Sequence, residues 1–283
     1  MKLARYATQA GPRIAAVCDG GLVDLVVAGA MFDTMAQVVA AGPAALADLA
    51  DRVSHTPPQL RLEEARLLAP LPRPGKYLAI GMNFRKHVAE AARLGVEEPK
   101  RQFWFNKQTT CIAGPFDPID PGVTEKLDYE VELGVVIGRA AKGVTAGTAL
   151  EHVFGYLVAN DVSARDWQFH SPTFTMGKSF DTHGPIGPWI VTADEIPDPQ
   201  ALELRCFVNG ELRQSSNTSQ MIHPVAEQIA YLSTAFTLEP GDLIASGTPE
   251  GVGVGMDPPV FLKSGDVVRC EIDGVGTIEN RVS

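Results

Sequence analysis

Asp128-Tyr129-Glu130-Val131-Glu132-Leu133-Gly134-Val135-Val136-Ile137 reads as a strand with two carboxylates set into it. Strand side chains alternate between faces, so Tyr129, Val131 and Leu133 share one face and Glu130 and Glu132 the other. Glutamate is depleted in strands, and two carboxylates on one face repel, so the pair wants a cation. Two readings stand at this point: a solvated outer face beside Lys or Arg partners, and a metal site.

Outward from this strand the chain repeats the same texture. Short apolar runs such as RIAAVC, GLVDLVV, KYLAIG, VFGYLVAN, PWIVT, DLIASG and DVVRCEIDGVGTIENRV are separated by turns, with 27 glycines and 21 prolines as punctuation. That pattern favours many short strands over long helices. In LRCFVNGELR, Asn209-Gly210 lies between alternating residues, which signals a tight hairpin. Helices are expected in an Ala-rich stretch around Met35 to Ala50, after Asn83 (as N-cap) up to Gly95, and around Pro224 to Thr234. Prolines at 70, 72 and 74 suggest an extended linker. The expectation is an α+β, strand-dominated chain with a small β/α module at 1–70 and a main domain at 71–283.

Composition narrows the function classes. The 283 residues carry 24 Lys plus Arg against 34 Asp plus Glu, a formal charge of −10. That balance argues against nucleic-acid binding, which draws its affinity from Lys and Arg, and against a polybasic membrane surface. The four cysteines (18, 111, 206, 270) form no CxxC pair and read as buried hydrophobes in a reducing setting. Arg5, Gly11, Pro12 and Arg13 interrupt any signal-peptide core, and no run reaches the ~20 apolar residues of a membrane span. A cytoplasmic location is expected.

Three further features bear on chemistry. Asp161 ends the run VFGYLVAN; with Glu130 and Glu132 it would make an all-oxygen set suited to Mg²⁺, Mn²⁺ or Ca²⁺ rather than zinc. Spacing alone does not bring Asp161 to Glu130. On the expected helix, His87 and Glu90 are three apart and share a face, either as a surface ion pair or as a base with its orienting carboxylate. Two segments imitate phosphate loops and fail: Gly177-Lys178-Ser179 has Pro172 where Walker A needs glycine, and in GTPEGVGVG Met256 occupies the last glycine position of GxGxxG. Lys178 is then a surface lysine or a cation beside a developing oxyanion.

Six motifs in order, IGMNFRKHVAEA, LDYEVELGVVIGR, GYLVANDVSARDWQ, MGKSFDTHGPIGPWIV, LIASGTPEGVG and SGDVVRCEIDGVGTIENRV, resemble the fumarylacetoacetate hydrolase family over about Lys76 to Val282. Within it the chain is similar to bacterial acylpyruvase-like hydrolases. The resemblance implies a mixed β-roll catalytic domain behind a small N-terminal β region, usually as a homodimer. It implies Mg²⁺ or Mn²⁺ on Glu130, Glu132 and Asp161, and a His87–Glu90 dyad on a lid that becomes helical with ligand. It places the catalytic lysine on Lys178, substrate contacts on Arg165 and Gln168, and the threonine near the substrate carboxylate on Thr248. Many relatives have Lys-Pro where this chain has Lys107-Gln108, which bears on the pocket wall.

The implied chemistry is hydrolysis of the C3–C4 bond of a small 2,4-dioxo acid to pyruvate and a carboxylic acid, with His87 activating water. Relatives turn similar enolate chemistry to isomerising 2-hydroxyhepta-2,4-diene-1,7-dioate, decarboxylating oxaloacetate, or hydration. A non-catalytic metal-binding scaffold is the reading from another class.

Overall fold

The computed structural model describes residues 1–283. Its main feature is a mixed sheet of 12 strands. The strands needed here are β1 (Lys2–Thr8), β2 (Gly11–Cys18), β3 (Gly21–Asp24), β4 (Leu60–Arg61), β5 (Tyr77–Gly81), β6 (Phe103–Asn106), β7 (Val131–Ile137), β8 (Val153–Asn160), β9 (Gly184–Thr192), β10 (Glu203–Val208), β11 (Glu211–Asn217), β12 (Leu243–Ala245), β13 (Val267–Ile272) and β14 (Gly276–Arg281). Along the large sheet the order is β4-β3-β2-β1-β9-β8-β7-β12-β5-β6. β12 and β5 run parallel, and the neighbouring pairs from β9 to β12 are antiparallel. A second sheet has the order β11-β10-β13-β14. The strand-dominated α+β class expected from the punctuation is the one observed.

Residues 1–70 and the rest of the chain share the large sheet: Lys2 and Leu3 of β1 pair with Val191 and Ile190 of β9. The Ala-rich stretch forms two helices, α1 (Met35–Ala40) and α2 (Gly42–Ser54), the second opening on Gly42 at φ 81. Asn209 and Gly210 both have positive φ, as the hairpin signal requires, and join β10 to β11.

β7 shows how one strand serves two layers. Val131, Leu133, Val135 and Ile137 enter a core shared with the second sheet (Leu204, Cys206, Val268, Cys270), while Val136 enters a core with α1 and α2. Each face therefore has its own apolar layer, and the edge of the second layer is where the two glutamates emerge. Cys111, Cys206 and Cys270 are buried free thiols, and Cys18 is half-buried. No helix is long and apolar enough to cross a membrane.

Helix α3 (Arg85–Arg93) forms, and Gly95 follows it at φ 81. Asn83, however, does not cap it: the N-cap is Phe84, with no side-chain hydrogen bond. The Asn83 amide instead donates to Ser246 O (2.7 Å) and His223 O (3.1 Å) and accepts from His223 N (2.9 Å). A fully buried amide with three backbone partners outweighs a cap on a helix end that water also reaches. Helix α4 (Val225–Ala235) lies where it was expected.

Candidate active site

The register of β7 against β8 assembles the acidic cluster. Val131 lies opposite Asn160, so Asp161, the residue just past the end of β8, arrives beside Glu130. Asp161 N donates to Glu130 O at 2.9 Å, and Asn160 Oδ1 accepts from Glu130 N at 3.0 Å. One oxygen each from Glu130, Glu132 and Asp161 lie within 4.8 Å of one another, and all three residues are buried. Spacing left that meeting open; strand pairing makes it.

Three cations are buried with the cluster. Lys178 Nζ donates to Glu130 Oε2 and Asp161 Oδ2, both at 2.8 Å. Arg165 reaches Asp128 Oδ2 at 2.8 Å and Glu130 Oε1 at 2.6 Å. Lys107 Nζ holds the other oxygen of Asp161 at 2.5 Å and donates to His183 O at 2.9 Å. Against these three cations stand four carboxylates, Asp128, Glu130, Glu132 and Asp161, leaving one formal negative charge. The excess falls on Glu132, which has no cation of its own.

Acid–base balance follows that arrangement. Burial alone would raise Glu130, but Lys178 and Arg165 bring it down to about 2. Glu132 is pushed well up, first by burial and then by the charges of Asp161 and Glu130, with the Gly247 N–H only partly opposing. Burial would lower Lys178, yet Asp161 and Glu130 raise it. Glu132 Oε2 accepts from Gly247 N at 2.9 Å, and its other oxygen receives no donor from the protein. Hard oxygens with surplus negative charge and a free acceptor fit a divalent Mg²⁺ or Mn²⁺ rather than a softer ion.

His87 and Glu90 come together as their spacing suggested, with Nδ1 and Oε2 at 3.0 Å. A carboxylate can only accept, so Nδ1 carries the proton and Nε2 is left as a base. The other Glu90 oxygen accepts from Gly251 N at 3.0 Å. The glycine-rich segment that failed as a nucleotide loop thus has a different employment. Gly251 holds Glu90; Gly253 N and Val254 N donate to the two oxygens of Asp128 at 2.7 and 3.0 Å. At Gly255 a Cβ would overlap the Glu90 carboxyl, so only glycine admits α3 this closely. Backbone N–H groups that could have cradled a phosphate cradle the chain's own carboxylates.

A cavity of about 720 Å³ joins these parts, lined by His87, Glu90, Glu130, Glu132, Arg165, Gln168, Lys178 and Thr248 at its polar end. Gln168 Oε1 accepts from Arg165 at 3.0 Å. The Thr248 hydroxyl donates to Val131 O (3.0 Å) and accepts from Gln214 (2.9 Å), so its proton is already engaged by the backbone. Lys107 and Asp128 were missed as site residues. Asp128 carried a signal, since it falls on the Glu130 and Glu132 face by period-two alternation. Lys107, directly after β6, carried only the Lys-Gln departure from Lys-Pro, which bears on the pocket wall and says nothing of Asp161.

The chain is similar to several known proteins. The model for the C-terminal domain of fumarylacetoacetate (FAA) hydrolase matches residues 76–283. A mitochondrial oxaloacetate tautomerase of Bos taurus is 44% identical over 267 residues, covering 93% of this chain and 84% of that protein. Among solved structures, a fumarylacetoacetate hydrolase from Exiguobacterium antarcticum superposes with a TM-score of 0.87 at 38% identity, over 100% of this chain and 99% of the other. A maleylpyruvate hydrolase from Sphingobium sp. SYK-6, in complex with manganese(II) and pyruvate, gives a TM-score of 0.82 at 29% identity, over 100% and 98%.

Proposed function

The chain belongs to the fumarylacetoacetate hydrolase family, and from that premise we propose that it is a divalent-metal-dependent hydrolase of 2,4-dioxo acids. The reaction adds water across the C3–C4 bond and releases pyruvate and a carboxylic acid. The observation that carries this reading is one cavity lined both by Glu130 and Glu132, with Asp161 buried beside them to complete an all-oxygen triad, and by a histidine whose Nδ1 is engaged by Glu90 so that Nε2 is left free to accept.

Glu130, Glu132 and Asp161 would hold the Mg²⁺ or Mn²⁺. When bound, the ion supplies Lewis-acid polarisation of the 2-oxo acid. Arg165 and Gln168, locked to each other, present donors to the carboxylate end of the substrate. His87 Nε2 takes a proton from water, whose oxygen forms the new bond to C4, while the Glu90 carboxylate offsets the positive charge that develops on the His87 ring. Lys178 places its ammonium where oxygen charge grows. As the C3–C4 bond breaks, its electron pair passes to C3, and the proton held by His87 returns there to complete pyruvate.

A second reading draws on the identity to the oxaloacetate tautomerase. There His87 would move a proton between C3 and the 2-oxygen with no attack by water. The two readings part on products. Acetylpyruvate supplied with Mg²⁺ should lose its enol absorbance and yield pyruvate and acetate in equal amounts. Retention of acetylpyruvate, alongside faster interconversion of oxaloacetate tautomers, would replace hydrolysis by tautomerisation.

A further inference from the structure

Beyond its charged end, the cavity changes character along an aromatic wall. Lys178 Nζ lies 5.2 Å from the Phe105 ring centroid, where the wall begins. Phe174 stands 6.1 Å from Phe105, 5.1 Å from Phe103 and 5.2 Å from Phe169, so four rings continue outward from the ammonium. The wall ends at Phe169, which is 70% exposed. Leu94 and Val96, just beyond α3, line the same cavity and are 51% and 42% exposed. Phe174 has φ 59, a left-handed conformation that is strained for a bulky residue and persists only where surroundings enforce it.

Resting on the 2-oxo acid reading above, we propose that this outer half receives an apolar alkyl or aryl tail on the substrate. Apolar side chains exposed together at a cavity mouth gain from being covered by an apolar group, and rings offer large rigid faces for it. No built receptor for a second carboxylate accompanies them. Of the basic side chains lining the cavity, Arg165 and Lys178 are held by Asp128, Glu130 and Asp161, and the His87 ring by Glu90. Lys126 alone is unpaired; it is exposed, and Glu97 lines the same cavity with the opposite charge.

Calorimetry on the Mg²⁺-loaded protein tests the tail independently of turnover, using pyruvate, 2-oxohexanoate, phenylpyruvate and 2-oxoglutarate. Each buried methylene strengthens binding by about fourfold. The two apolar-tailed acids should therefore bind about tenfold or more tightly than pyruvate, with 2-oxoglutarate no tighter than pyruvate. Phe169→Ala and Phe103→Ala should each cut the phenylpyruvate-to-pyruvate ratio about threefold, and Lys126→Met should leave the ranking in place. Tighter binding of 2-oxoglutarate than of phenylpyruvate, lost in Lys126→Met, would overturn the apolar tail. Apolar ranking without cleavage of any acylpyruvate would instead sink the hydrolase reading and leave this one standing. Binding of none of the four overturns both.

Discussion

Strand β7 is paired on both edges, by β8 and β12, and every residue from Val131 to Ile137 is buried. Helix α3 buries only Val88, Glu90 and Ala91 and meets the rest of the protein along one face. The first region carries Glu130 and Glu132; the second carries His87. The acidic groups are thus set into the least yielding part of the molecule, while the proposed base rides on a helix attached by a few polar contacts. One of these is the Glu90–Gly251 bond, another the Lys86–Glu250 ion pair at 3.4 Å. On the reaction proposed above, the difference teaches that metal binding and water activation are separable, because they are supported by different layers of the fold.

The largest effects should come from the strand. Glu132→Gln preserves size and keeps an acceptor for the Gly247 N–H, but removes the charge with no cation of its own. Affinity for Mg²⁺ and Mn²⁺, measured by calorimetry, should fall by about 10²-fold or more, and every reaction of the site should fall with it. Full turnover in metal-free buffer after exhaustive chelation would break the comparison at its strand end.

Changing the helix should spare the metal. His87→Ala should lower acylpyruvate hydrolysis by about 10²-fold or more, the usual scale for a lost general base, with Mg²⁺ affinity as in the parent. Parental hydrolysis in this variant would assign water activation elsewhere. Smaller effects, about tenfold, are expected for Glu90→Gln, which weakens the carboxylate behind the ring. Gly255→Ala should act in the same direction by pushing Glu90 out of its seat. Loss of metal binding in either variant would mean that the two layers are coupled after all.

How much of this was legible in the sequence differs between the same two regions. Period-two alternation in DYEVELG gave the shared face of Glu130 and Glu132, and three-residue spacing gave His87 with Glu90, because both rest on local geometry. Asp161 was recognisable as a strand-end carboxylate, yet its approach to Glu130 depends on β7–β8 register, a long-range pairing that no spacing encodes. Lys107 lies 54 residues before Asp161 in sequence and meets it only in the folded protein. Asn83 misled for a related reason. Its chemistry suits a helix cap, but Ser246 and His223, brought up from far along the chain, offered a buried amide more partners. The glycines of GTPEGVGVG were legible only as a failed phosphate loop; that their backbone N–H groups hold Glu90 and Asp128 was not.

The remaining prediction lies beneath the strand cluster and concerns stability in acid, not the reaction. His183 is fully buried, stacks on Phe180 with ring centroids 5.1 Å apart, and places Nε2 2.9 Å from Asp120 O. Its Nδ1 has no partner. Burial lowers its pKa first, and the Lys107 ammonium lowers it further; the Asp120 carbonyl and the charges of Asp120 and Asp161 oppose, and the result is about 4. The folded protein thus keeps the ring neutral while the unfolded chain protonates it near the ordinary histidine value of about 6.5. Between those two values the unfolded state binds more protons, so stability is fully present above about 6.5 and declines as pH falls toward 4. The slope from this one group approaches about 1.4 kcal/mol per pH unit, of order 3 kcal/mol across the window. His183→Gln can keep a donor toward Asp120 O without titrating. Its stability, followed by urea denaturation from pH 7 to pH 4, should fall less steeply than the parent's by that amount. Because carboxylates titrate in both proteins, the difference between the two curves isolates His183. Parallel curves would mean that the ring is protonated in the folded state, and the layer under the cluster would then be less closed to water than β7 itself.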